Sequence, residues 1–152
     1  MRKAEREIKD KEELEQVIMK AEVCRLGMID GDEPYVVPMN FGYRDGALFF
    51  HCAREGRKLD ILRRNPKVCF ELEGDACLVR GESACRWSSS FRSVIGWGRA
   101  SIILDEASVR DGLEVLMDHY SPDQKDFDAR SLGLTAVIRV DVEHMTGKRS
   151  KL

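Results

Sequence analysis

The sequence is poor in the residues that build covalent or metal scaffolds. It has five cysteines, at positions 24, 52, 69, 77 and 85, and none stands in a CxxC spacing. The number is odd, and only His51, His119 and His144 offer imidazole ligands. A disulfide framework or a structural zinc site needs more than this, so the cysteines read as free thiols of a reducing cytosol. A charge excess is missing too: 25 Lys and Arg stand against 27 Asp and Glu, for a net charge of −2. That balance argues against nucleic acid as a partner. No apolar run approaches the roughly 20 residues of a membrane span. The opening stretch MRKAEREIKDKEELEQ mixes both signs of charge and has no apolar centre of the kind a signal peptide carries. The expectation is a soluble, cytoplasmic protein with no membrane or nucleic-acid partner.

What is present is enough for one packed domain. The 152 residues lack internal repeats and low-complexity segments, so residues 1–152 read as a single domain. Leu14, Val17, Ile18 and Ala21 recur at helical spacing, which predicts an amphipathic helix from Lys11 to Ala21 with Asp10 and Glu13 as a capping box. From Val23 the texture turns to short β-rich runs. VCRLGMI ends at Asp30-Gly31-Asp32, PYVVPMNFGY ends at Arg44-Asp45-Gly46, and ALFFHC follows. Asp-Gly turns between such runs predict an antiparallel meander.

Gly56 then precedes a short helix that Asn65-Pro66 stops, and KVCFELE is a further strand. Residues 74–90 show no clear period. FRSVIGWGRASIILD is long enough for a bent strand, with Gly96 and Gly98 marking a bulge or a close backbone approach. Asp105 or Glu106 opens a helix whose face carries Val109, Leu113, Leu116, Met117 and Tyr120. A loop, SPDQKDFDARS, leads to a closing strand, LTAVIRVDVEH, and a short basic tail. Many strands with few helices predict a small β-barrel with helices at its rim.

The chemistry concentrates in residues 34–58. Gly56 is followed by Arg57 and Lys58 at a helix start, where backbone N–H groups, the helix dipole and two cations converge. That is an anion site suited to a phosphate. Taken singly, Gly-Arg-Lys also fits a solvated helix start, His51 a structural histidine, Cys52 a small buried hydrophobe, and Met39 and Phe41 core positions. Pro38 marks a strand edge with an unpaired backbone position that a flat ligand can use.

Pro34-Tyr-Val-Val-Pro-Met-Asn-Phe-Gly-Tyr, Leu48-Phe-Phe-His-Cys-Ala and Gly56-Arg-Lys-Leu-Asp together resemble the pyridoxamine phosphate oxidase-like FMN-binding split barrels. Arg92-Ser-Val-Ile-Gly-Trp-Gly-Arg-Ala and the ending His144-Met-Thr-Gly-Lys resemble the branch related to the Nim nitroimidazole-resistance proteins. The resemblance implies a six-stranded antiparallel split barrel, a homodimer, and one FMN in each of two interface sites. By position, it implies that Val37, Pro38, Met39 and Asn40 edge the flavin ring, and that His51 and Cys52 lie along the ring or ribityl chain. Arg57 and Lys58 would hold the phosphate. Arg92, Ser93 and Val94 would complete the site from the second subunit, and Trp87 with Ser88 to Ser90 would form a loop near the ring.

The parent oxidases carry an Arg-x-His pair near the C-terminus, which this chain lacks, so the resemblance does not extend to vitamin B6 oxidation. The function implied is reduction of a small flat acceptor, a nitroaromatic or quinone, with His51 as proton donor. The alternatives are a flavin store or redox sensor, and a haem-binding barrel with His144 as axial ligand.

Overall fold

The computed structural model describes residues 4–150. Its strands are β1 (Glu7–Ile8), β2 (Cys24–Asp30), β3 (Glu33–Met39), β4 (Phe41–Arg44), β5 (Ala47–Ala53), β6 (Lys67–Val79), β7 (Ser88–Ile103) and β8 (Thr135–Arg149). The helices are α1 (Lys11–Lys20), α2 (Arg57–Arg64), α3 (Glu106–Tyr120) and α4 (Ala129–Leu134). All strand pairs are antiparallel, in the order β3-β2-β6-β7-β8-β5-β4, with β1 added to β8. Strands β3 and β4 are consecutive in the chain, separated by Asn40 alone, yet they stand at opposite ends of that order. The sheet therefore curls until its two ends meet at one residue. It is an open, split barrel, as expected. Six of its strands have seven residues or more; β1 and β4 are short additions.

Both faces of β5 are buried along Ala47–Phe50, because successive side chains point to opposite faces and each face has a cover. Phe50 joins Phe41, Phe70, Leu26 and Ile138 inside the barrel, closed by Leu14, Val17 and Ile18 of α1 and by Leu59 and Leu62 of α2. Phe49 faces the other way and packs with Val109, Val115 and Leu116 of α3 and Leu132 of α4. Each such fully buried side chain contributes about 1.5–3 kcal/mol. Gly42 lets α3 lie flush on β4: a Cβ there would stand 2.4 Å from the Val115 carbonyl oxygen.

Several expectations change. The run PYVVPMNFGY is two strands, and β3 pairs with β2 rather than with β5, so the strands do not form a simple meander. Asp10 makes no side-chain cap; Glu13 instead accepts from Arg149 Nη1 at 2.7 and 3.1 Å. Residues 74–79 continue β6 through an irregularity between Gly74 and Cys77, where Asp75 has φ 56°. Ser88 to Ser90 are not a loop but the start of β7. Residues 145–149 of the basic tail belong to β8, which runs to Arg149, and SPDQKDFDARS includes the start of α4. Gly98 has both features foreseen: the β7–β8 register shifts between Trp97 and Gly98, and a Cβ on Gly98 would meet the Asp141 carbonyl oxygen at 2.3 Å.

Candidate functional site

Where the sheet is split, a cleft of about 560 Å³ opens between β3 and the end of β5. Val37, Pro38, Met39 and Asn40 form one wall; His51, Cys52 and Ala53 form another. Lys58 closes one end, and Leu134 and Thr135 complete the lining. Seven residues singled out in the sequence thus meet in one place, although β3 and β5 share no ladder.

Each wall is positioned by local chemistry. β3 is an edge strand, so its outward backbone N–H and C=O groups have no strand partner. Val37 and Met39 turn toward the barrel core, which leaves Pro38 and Asn40 exposed. On β5, Cys52 packs against the core side, while His51 shares the face of Phe49 and looks toward α3. Burial raises the Cys52 thiol above its ordinary value, and the Lys58 ammonium offsets this in part, so at neutral pH it is a thiol.

Gly56 enters α2 with φ 132°, a conformation open to glycine, and its carbonyl accepts from the N–H groups of Leu59 and Asp60. Ahead of these, the N–H groups of Arg57 and Lys58 have no backbone partner among the described residues.

Arg57 is held differently from its neighbour. Its Nε donates to Asp30 Oδ2 at 2.9 Å, and its guanidinium lies 4.6 Å from the Tyr35 ring centroid. Arg64 Nη2 donates to the other oxygen of Asp30 at 2.7 Å. The hydrogen bond from Arg57, with Arg64 alongside, holds the Asp30 carboxyl below the usual carboxylate range. Arg57 is not among the cleft-lining residues, whereas Lys58 is, and Lys58 has no carboxylate within 4.0 Å among the described residues.

Arg92, Ser93 and Val94 do not reach this cleft in their own chain. They lie in β7 between β6 and β8, with Arg92 Nη1 3.4 Å from Asp75. Val94 is 0% exposed, and its side chain belongs to the core. Trp87 is half exposed and also outside the cleft. His144 stacks on Trp97, with centroids 4.6 Å apart and planes 12° apart, and does not line the cleft either.

Ala53, Leu134 and Thr135 were missed by sequence reasoning. Thr135 pairs with Ala53 across β5 and β8, and no local spacing announces a contact so distant in sequence. Arg54 fastens this wall, donating to Gly133 O at 2.8 Å and Leu104 O at 2.6 Å.

The fold is an open antiparallel split barrel with a polar-ended cleft at its split. More narrowly, the chain belongs to the pyridoxamine 5′-phosphate oxidase family, whose model matches residues 10–149. It is similar to a candidate 5-nitroimidazole antibiotic resistance protein from Bacteroides thetaiotaomicron: 35% identical, 94% of this chain and 86% of that one, TM-score 0.83. An FAD- and haem-binding protein from Mycobacterium smegmatis has the same fold at 17% identity, covering 97% of this chain and 74% of that one, with TM-score 0.84. An uncharacterised protein of Rhizobium meliloti is 29% identical over 65 residues, and the match spans 43% of this chain and 42% of that protein.

Proposed function

We propose that the chain binds FMN in the cleft at the split of the barrel and, as a homodimer, reduces a small flat acceptor such as a nitroaromatic or a quinone. One observation carries the reading. The same cleft has an unpaired sheet edge along Val37–Asn40 and, at one end, Lys58 with the first turn of α2. A flat heterocycle with a polar rim suits the first, and a phosphate suits the second. Its volume of about 560 Å³ falls within the ~300–1,000 Å³ range of cofactor-sized sites.

FMN would supply the two-electron chemistry when bound. The protein's residues do the rest. The β3 edge orients the ring, Lys58 fixes the phosphate, and Pro38 removes one competing N–H donor. His51, exposed at the cleft, holds a proton for the acceptor. Arg92 and Ser93 would come from the second protomer.

An apolar stretch of the outer sheet face supports the dimer. Ile29, Val36 and Trp97 are 51%, 59% and 38% exposed and lie beside Met28, Pro34 and Cys69 around a shallow cavity. Contiguous apolar surface of this kind marks an association face. His144, the axial ligand that the haem alternative invokes, lies outside the cleft.

The test is the visible absorption spectrum of the purified protein, followed by anaerobic photoreduction and mixing with a nitroaromatic or quinone. Bands of oxidised flavin that vanish on photoreduction and return rapidly with the acceptor are expected. A haem Soret band, or no affinity for added FMN, would overturn the reading. Flavin that binds but is not reoxidised would indicate a store or sensor instead.

A further inference from the structure

A second cavity, of about 330 Å³, adjoins the cleft and shares two residues with it, Asn40 and His51. Its other lining is Leu113, Leu116, Met117 and Tyr120. Those four stand at i, i+3, i+4 and i+7, one face of α3. An amphipathic helix ordinarily buries such a face in the core. Here the core takes only part of it: Val109 and Leu116 are buried, whereas Leu113 and Met117 are half-buried and Tyr120 is 40% exposed. The unburied part of the stripe faces His51, which projects from β5 on the α3 side.

The walls are fixed. The Tyr120 hydroxyl accepts from Phe41 N at 3.1 Å and donates to Glu22 O at 2.7 Å. The close approach at Gly42 sets the height of α3 above β4. The cavity is thus apolar on its helix side and polar where it meets the cleft, and its volume is at the lower end of small-ligand sites.

We propose that this cavity seats the apolar part of the electron acceptor, with the acceptor's polar head at Asn40 and His51. The substrate class is then a quinone or nitroarene bearing an apolar substituent or fused ring, rather than a small hydrophilic acceptor. The proposal rests on the flavin reading above, because the polar head must lie at the cleft. Leu113 and Met117 become specificity-determining residues.

The experiment titrates the protein, labelled with 13C at its methionine methyl groups, with 1,4-naphthoquinone, in the presence and absence of FMN. The Met117 methyl resonance is expected to shift with saturation, while that of the core residue Met28 stays. In Met117→Trp, which fills the cavity, and in Met117→Gln, which keeps its size but makes it polar, the apparent Kd should rise at least tenfold, with FMN affinity within about twofold of wild type. A Met117 signal indifferent to saturating quinone would overturn the proposal, as would unchanged quinone affinity in both variants. A signal that responds to protein dilution instead would give the cavity to a second copy of the chain, and would also overturn it. A protein that fails to bind FMN but still shows the Met117 shift would retain the cavity and refute only the flavin reading.

Discussion

Asp30 and Arg57 are joined side chain to side chain, Nε to Oδ2 at 2.9 Å, and Arg64 occupies the second oxygen of the same carboxylate. One aspartate at the end of β2 therefore ties down both ends of α2. It also separates the work of two adjacent cations, since Arg57 is engaged and Lys58 faces the cleft.

Lys58→Ala should weaken FMN binding by about 10- to 150-fold, the loss of one charge-assisted hydrogen bond of about 1.5–3 kcal/mol. Riboflavin, which has no phosphate, should bind both proteins alike. Arg57→Ala should change FMN affinity by less than about fivefold, on the scale of an exposed ion pair. Fluorescence-quenching titrations with the two flavins check this. Equal losses in both variants would restore Arg57 as a phosphate ligand.

His51→Ala should slow reoxidation of the reduced flavin by a nitroaromatic by about 100-fold, within the usual range for a general acid. FMN affinity should hardly move. Stopped-flow reoxidation is the measurement, and wild-type rates in both His51→Ala and His51→Gln would make His51 a strand-end residue only.

Acid should loosen α2 through Asp30. Its folded pKa is depressed by Arg57 first and Arg64 second, so its contribution is complete above the unfolded value of about 3.9 and disappears as pH falls through the lower folded value. Asp30→Asn should flatten stability against pH in that acid window and leave the slope near neutrality unchanged. Urea melts at a series of acidic pH values would reveal an unaltered slope if Asp30 were idle.

If the proposed homodimer forms through the apolar outer face, Val36→Glu should dissociate it. Val36 is 59% exposed on the apolar outer face, and two-fold symmetry would place the new charge there twice. An unpaired charge in an interface costs about 2 kcal/mol or more, so the dimer Kd should rise at least ~30-fold. Sedimentation velocity over a dilution series decides; an unaffected dimer would move the interface elsewhere.

Gly42→Ala should destabilise the fold by about 1–3 kcal/mol, lowering Tm by several degrees, because the added methyl meets backbone of α3 rather than a movable side chain. Thermal melts followed by circular dichroism give the value. A wild-type Tm would mean that α3 can lift from β4 at no cost.

Much of the fold is legible in the sequence. The helix from Lys11, the stop at Asn65-Pro66 and the turn residues Gly31 and Gly46, with φ of 70° and 77°, are local signals, and local signals survive folding. The resemblance to the FMN-binding split barrels implies the cleft residues Val37–Asn40, His51 and Cys52, whereas the cations that open α2 are legible from residue chemistry alone. The break at Asn40 was not visible, since one residue of extended sequence looks like any other. Residues 75–79 show no period because β6 there leaves the core, so both its faces are exposed. The end of β8 carries few apolar side chains, and Gly147 is the reason one is unnecessary: Ile8 and Leu14 pack directly over it. The split of labour between Arg57 and Lys58 depended on Asp30, a partner 27 residues away.

The place of β8 in the sheet has a consequence for synthesis. It is the last strand among the described residues, yet it lies between β7 and β5 and alone connects the β5–β4 hairpin to the remaining ladder. A ribosome that has made everything through α3 has therefore released two sheets with no strand pairing between them, one bearing each wall of the cleft. The two walls acquire their mutual strand register only when Thr135–Arg149 emerges and zips between their sheets.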